Sequence, residues 1–169
     1  MNRLHLWVTA LPWDSIKRRS KEFALDQDLI AAMVQAESGG NSFAVRYEPN
    51  WKYFFNTQIM ALELGITQLT ENQLQAMSWG PMQIMGSVAR ELGFRGHLTK
   101  LTDADTALFW SCKKFKTLSD KYPEPDCVAA WNGGSPRKTS SGILEPQLEK
   151  YVDRVYGYLR ELKSLSEKA

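Results

Sequence analysis

Hydrophobic positions along this chain recur every three and four residues, the spacing of helices that pack by one face. After Asp26, whose carboxylate can accept from the first free amides of a helix, Leu29, Ile30, Met33 and Val34 share one side, and Gly39 supplies the stop. An earlier helix, capped by Asp14, runs to about Phe23. Residues 56–64 form a short helix ended by Gly65, and the capping box TENQ at 70–73 opens another. In SWGPMQIMGSVARELG, at 78–93, Pro81 suits a first turn and Gly93 a C-terminal stop, so this stretch too reads as helix. Leu108, Cys112, Phe115 and Leu118 make the stripe of a long helix from Asp103 to about Lys121, halted before Pro123. A short helix at 125–132 stops at Gly133 and Gly134, and the polar loop at 135–145 is expected to be mobile. Pro146 starts a last helix reaching about Leu165, with Val152, Val155, Leu159 and Leu162 inward. No alternating strand pattern, repeat or low-complexity tract stands out. The fold class is mainly α, in a single domain.

Composition narrows the function more than the fold. With 169 residues, 43% of them hydrophobic, the chain can bury a core without staples. A balance of 21 basic against 19 acidic residues gives a net charge of +2, too small for a nucleic-acid footprint and leaving only a weak preference for anionic polymers. Arg18, Arg19 and Lys21 form a short basic face that reads as solvated surface. The start, MNRLHLWVTALPWDSIKRR, lacks an uninterrupted apolar region and a cleavage site, and runs of about 18 apolar residues are missing, so neither a signal peptide nor membrane insertion is expected. Cys112 and Cys127 lack the paired spacing of a zinc site and read as buried small hydrophobes. His5 and His97 stand alone, and no metal or organic cofactor is implied. A monomer is expected.

One charge stands out against the helical pattern. Glu37 follows Val34, Met33 and Ile30 at three, four and seven residues, so it emerges from the edge of a buried stripe, where desolvation favours its protonated form. A carboxyl kept protonated near neutral pH is what a general acid must be. The alternative is a glutamate in a last helical turn that bends into solvent.

The company Glu37 keeps tips the balance. AES at 36–38, WGPMQIM at 79–85, AAWNGG at 129–134 and YVDRV at 151–155 follow in that order. Together they resemble the soluble lytic transglycosylase family, whose lysozyme-like helical domain, related to goose-type lysozyme, carries Glu-Ser, Gly-Leu-Met-Gln, Ala-Tyr-Asn and a late tyrosine. The resemblance covers roughly residues 26–158. RYEP at 46–49 and SWG at 78–80 are similar to the variant seen in phage and prophage enzymes.

That resemblance implies cleavage of the β-1,4 bond between N-acetylmuramic acid and N-acetylglucosamine in peptidoglycan, with closure of a 1,6-anhydro ring instead of attack by water. It makes Glu37 the acid and then the base, with Ser38 helping to set the turn. Met82, Gln83 and Met85 would line the glycan groove, Gln83 offering amide donors and acceptors to sugar polar groups; Met82 and Met85 could equally be core. Gly80 would permit close approach of chain to ligand and unusual torsions before Pro81, or simply make a turn. Asn132 would face the cleft, or end its helix in a left-handed conformation. Tyr151 would point its hydroxyl at the catalytic carboxyl or substrate, or pack at the core boundary.

Three departures from the family pattern stand out. Trp131 stands where tyrosine is usual, so an indole that can only donate replaces a hydroxyl; Tyr151 could take over that duty, or Trp131 could stack on sugar. Pro81 stands where leucine is usual. About 40 residues separate Glu37 from Gly80, more than the family spacing, which marks an insert at about 46–77. Its Trp51, Tyr53, Phe54 and Phe55 could wall the groove or anchor a small helical flap. Glu48, the second carboxylate, could polarise water, hold Arg46 or tie the insert to the cleft, with the structural role preferred.

The leading function is therefore a peptidoglycan lytic transglycosylase acting on glycan strands. A hydrolytic muramidase of goose-lysozyme type keeps the same fold and Glu37, and a noncatalytic glycan-binding or virion structural module is the different class. The expected setting is that of a bacteriophage endolysin, held in the host cytoplasm until a holin releases it to the periplasmic wall, or a virion-associated enzyme.

Overall fold

Two blocks of apolar side chains hold the molecule together, and each helix is placed by the block its stripe feeds. A computed structural model describes residues 7–167; His5 lies outside them. In the larger block, helices α1 (Trp13–Glu22) and α2 (Gln27–Ser38) meet three later helices, α6 (Ala104–Lys121), α7 (Asp126–Gly133) and α8 (Pro146–Ser166). Leu29 through Val34 are all buried, so α2 is enclosed on most of its surface, with α8 packed along it. Ile16, Leu108, Phe115, Val128, Val155 and Leu162 complete the same block. The two cysteines, both free, are buried in it as small hydrophobes.

The ends of these helices follow local chemistry. Asp26 Oδ1 accepts from the backbone N–H of Asp28 at 2.8 Å and of Leu29 at 3.4 Å, and Gly39 ends α2 with φ of 64°. Asp103 caps α6 in the same way through the Thr106 amide at 2.9 Å. The cap of α1 is Pro12; Asp14 lies within the first turn, where a carboxylate meets the positive end of the helix, so its expected capping role is corrected. The basic face of α1 is also less free than expected, because Arg18 and Arg19 both pair with Asp105 and fasten α1 to α6.

The smaller block holds the main disagreement with the sequence reading. Residues 78–93 are not one helix. A three-stranded antiparallel sheet runs β1 (Val45–Tyr47), β2 (Met77–Trp79) and β3 (Ile84–Met85), with Val45 opposite Trp79 and Ser78 opposite Met85. Only Gly86–Glu91 is helical, as α5. Gly80 at φ 69° and Gln83 at φ 53° leave the helical region, and Pro81 occupies a tight turn closed by the Gln83 amide on the Gly80 carbonyl at 3.1 Å. Between β1 and β2 the chain forms a flap of two short helices, α3 (Thr57–Leu64) and α4 (Gln68–Gln75). The cap of α4 is Thr67, whose Oγ1 accepts from the Thr70 amide at 3.1 Å, so the expected capping box at 70–73 starts three residues too late.

A dry ion pair fastens the flap. Glu71 on α4 and Arg90 on α5 are both fully buried and meet twice, Nε to Oε1 at 2.7 Å and Nη2 to Oε2 at 3.1 Å. Arg90 also donates to the carbonyls of Phe94 and Gly96, and Gln75 donates to Glu71 while exchanging two bonds with the Phe55 backbone. With its lone pairs and protons so satisfied, the pair tolerates burial that would otherwise be costly. Trp79, Ile84, Phe94, Leu98 and Leu101 fill the space beside it. The loop at 135–145, expected to be mobile, folds on itself: Lys138 bridges Leu144, and Arg137 Nε pairs with Glu145 at 2.9 Å. Among the described residues no helix is long and apolar enough to cross a membrane.

Candidate active site

The C-terminal turn of α2 carries Glu37 to the seam between the two blocks, at the floor of a cleft of about 530 Å³. The larger block supplies one wall through Trp131 and Asn132, and the sheet and flap supply the other through Gln83, Met85, Trp51 and Tyr53. Glu37 is placed by what surrounds its helix. Gly39 stops α2 one residue beyond Ser38, and the Ser38 hydroxyl donates to the Pro81 carbonyl at 2.8 Å, tying the helix end to the Gly80–Gln83 turn across the seam.

Two donors converge on one oxygen of Glu37. Tyr151 Oη donates to Oε1 at 2.6 Å, and Trp131 Nε1 donates to the same Oε1 at 3.1 Å. Among the described residues no group hydrogen-bonds Oε2. Burial among apolar neighbours is the largest influence on the carboxyl and raises its pKa above the ordinary 4.5; the two hydrogen bonds and the cations Arg154 and Arg46 oppose it without cancelling it. An indole N–H can only donate, and the phenol hydroxyl is already donating, so Oε1 acts as acceptor and a proton on this carboxyl sits on Oε2. The result is a carboxyl, lining the cleft, whose proton belongs on the oxygen that its two neighbours leave unbonded. Tyr151 is itself held protonated, its pKa pushed well above 10 by burial and by the neighbouring carboxyl.

The other residues singled out by sequence sort into three groups. Trp131 and Tyr151 meet at Glu37, an indole and a phenol donating to the same oxygen. Asn132, Met85 and Glu48 line the cleft with them. Asn132 is helical and exposed; the left-handed stop is made by Gly134, at φ 75°. Glu48 accepts from Arg46 Nε at 2.6 Å, and its backbone N–H donates to the Ala76 carbonyl at the base of the flap.

For three more residues the structure shows what the protein itself asks of them. Met82 is fully buried in the larger block and presents no surface to the cleft. Gly80 has the unusual torsion expected before Pro81, φ 69°, and is also demanded from below: a Cβ there would lie 2.5 Å from the Leu101 carbonyl oxygen and 2.8 Å from the Ala107 methyl. Gln83 lines the cleft, yet its amide is spent inside the protein. Nε2 donates to the carbonyls of Ala44 at 3.0 Å and Gly80 at 2.9 Å, while Oε1 accepts from Ser78 Oγ at 2.9 Å. It is a strut that braces β1 against the turn.

The aromatic segment divides as well. Trp51 and Tyr53 line the cleft and pack edge to face, with ring centres 5.4 Å apart, whereas Phe55 is held to Gln75 and lies under Arg95. Sequence reasoning passed over Lys114, which lines the cleft from α6, and Arg154, whose field reaches Glu37. A heptad-style reading of α8 could have found Arg154, one turn after Tyr151 on the same face. His97 is exposed at the start of a 3₁₀ turn, away from the cleft. Among the described residues no group of His, Cys, Asp or Glu side chains is arranged to hold a metal ion.

Against known proteins, one comparison is positive. The model of a family described as the transglycosylase SLT domain matches residues 14–151, a span that holds Glu37, the turn at Gly80, Trp131 and Tyr151. Neither the curated proteins nor the solved structures searched gave a match.

Proposed function

Since the chain belongs to the transglycosylase SLT family, with its lysozyme-like helical domain and lytic activity on peptidoglycan, we propose that it acts with Glu37 as its single acid and base and releases 1,6-anhydromuramic acid ends. The observation that carries this reading is the split environment of a carboxyl that lines the cleft: Oε1 holds both Tyr151 and Trp131, and Oε2 holds no hydrogen bond among the described residues. Glu37 Oε2 gives its proton to the glycosidic oxygen between muramic acid and glucosamine, and that bond breaks. The acetamido carbonyl of the muramic residue supports the electron-poor anomeric carbon. The 6-hydroxyl of the same sugar then forms the new bond to that carbon and returns its proton to Glu37, so the acid is regenerated and no water is consumed.

A double-carboxylate hydrolase needs a second ionised group free to bind water or the anomeric carbon. Glu48 lines the same cleft but is engaged by Arg46 at 2.6 Å, which favours the single-glutamate route. Water attack assisted by Glu48 is the competing reading, because Glu48 is the second carboxylate that lines the cleft.

Mass spectrometry of soluble products from purified sacculi tests both. Anhydro-muropeptides from the wild type, with a loss of about 10²–10⁴-fold in Glu37→Gln, are the expected result. Reducing-end products would assign a muramidase, and no release at all would leave a glycan-binding or structural module. The RYEP and SWG segments support a phage-type setting, either an endolysin freed by a holin or a virion-associated enzyme, acting as a monomer on the cell wall.

A further inference from the structure

The cleft wall contributed by the flap holds an aromatic pair that the core does not use. Trp51 and Tyr53 line the cleft and touch each other, yet neither ring belongs to either apolar block, and Tyr53 is 72% exposed. Their polar atoms are divided. The Trp51 indole N–H donates to the Tyr53 carbonyl at 2.7 Å, so this side chain offers the cleft only its ring, whereas the Tyr53 hydroxyl has no hydrogen-bond partner among the described residues. The segment that carries the pair is fastened at both ends. The Glu48 N–H donates to the Ala76 carbonyl, and the Phe55 backbone donates to Gln75 Oε1 and accepts from Gln75 Nε2, each of these two at 2.8 Å. Between these staples the Trp51 amide closes a turn on the Glu48 carbonyl at 3.1 Å. Gln75 is itself buried and donates to Glu71, the acid of the dry ion pair. Two rings that serve no packing are therefore held in place by a buried network, and such preorganisation lowers the cost of binding a ligand.

We propose that Trp51 and Tyr53 form an added sugar site on the insert, which stacks a ring of the strand outside the pair at the scissile bond and makes the enzyme prefer long strands. The proposal rests on the peptidoglycan reading of the cleft and deepens it. Rings of a β-1,4-linked hexosamine strand carry their substituents outward, which leaves apolar C–H faces with a polar rim. Trp51 offers an apolar surface of matching shape, and Tyr53 adds a hydroxyl for the rim. Both the N-acetylated rings and the aromatic pair are neutral, so no charge has to be matched. Glu37 lies on the cleft floor at the end of α2 and the pair on the flap wall of the same cleft, so one strand running along it meets both. The buried ion pair then serves the substrate at a distance: through Gln75 and Phe55 it fixes the rings that grip the strand.

Binding to the Glu37→Gln protein tests this without turnover. Peptide-free strand fragments, each one disaccharide longer than the last, would be titrated by calorimetry. Affinity is expected to step up by about three- to tenfold at the length that first reaches the aromatic pair, the gain of one ring contact. Adding Trp51→Ala and Tyr53→Ala is expected to remove that step while shorter fragments bind as before, with thermal melting to show that the fold is kept. Tyr53→Ala alone, at a residue 72% exposed, is expected to remove part of the step with no change in melting. Absence of a step, a step that survives the double substitution, or an equal loss for the shortest and longest fragments overturns the proposal. If no fragment binds at any length, the peptidoglycan reading falls with it. Binding without a step removes the added site alone, and product analysis of the wild type still reads the chemistry.

Discussion

Trp131 and Tyr151 hydrogen-bond the same oxygen of Glu37, from two different helices, and so decide which oxygen of the acid carries the proton. Removing one donor tests this directly. Both bonds favour the charged form, so Tyr151→Phe is expected to raise the pKa of Glu37 further. The general acid works protonated; the alkaline limb of the pH profile of kcat/KM therefore moves to higher pH. The rate at the optimum is expected to fall about tenfold, since the carboxylate formed after proton donation loses a hydrogen bond. Trp131→Phe is expected to act the same way but less, its bond being the longer. A limb that moves to lower pH in either variant would contradict the assignment.

Glu37 also links activity to stability. Its folded pKa lies above the unfolded value, so the folded protein holds the proton more tightly. Stability is then full below about pH 4.5 and declines as the pH rises through the folded pKa. Glu37→Gln removes that cost. The variant is expected to melt higher than wild type at pH 7, by about 1.4 kcal/mol for each pH unit of pKa elevation, and to lose the advantage at pH 4. Thermal melts at the two pH values suffice.

The turn under the cleft tolerates no side chain at Gly80. With φ of 69° and a backbone oxygen 2.5 Å from the position of a Cβ, Gly80→Ala is expected to cost about 2–4 kcal/mol in urea unfolding. A loss under about 1 kcal/mol would mean that the Leu101 carbonyl can move aside.

Breaking the Glu71 and Arg90 pair should be equally severe, because one buried charge is left alone. Arg90→Met is expected to lose about 3–5 kcal/mol. Arg90→Lys keeps the charge but not the fork, and recovers only part of that loss. Chemical denaturation of the two variants, with limited proteolysis at the flap, reads both the energy and its location.

The cysteines are expected to be inert. Burial pushes the Cys112 thiol up to about 12 and raises Cys127 as well, so neither supplies thiolate near neutral pH. A disulfide reagent at pH 8 should label them only after denaturant is added; labelling of the folded protein at the unfolded rate would refute this.

The long helices and the partly buried setting of Glu37 were legible in the chain, and most of the short elements were not. Leu108, Cys112, Phe115 and Leu118 announce α6 because a period of 3.6 needs several turns to show itself. Strands of two or three residues cannot display a period of two, so β1, β2 and β3 left no trace, and Pro81 beside helix-forming residues suggested a helix where Gly80 and Gln83 make a turn. The resemblance placed Gln83 and Met82 at the groove; Gln83 lines it and Met82 is buried beneath. Within a helix an amide between apolar neighbours looks free for ligand; within this turn its three partners are backbone and Ser78. Glu37 was readable because its setting is local, fixed by the four residues before it and the glycines after it. Its two donors were visible as motifs, but their meeting on one oxygen depends on how α7 and α8 cross α2.

Trp131 packs against both apolar blocks while its N–H holds Glu37. The acid is therefore gauged against the closure of the whole molecule. If the halves spread, the indole cannot follow both, and the carboxyl loses a partner at the moment it also gains water. Reactivity and a shut seam are thereby made a single condition.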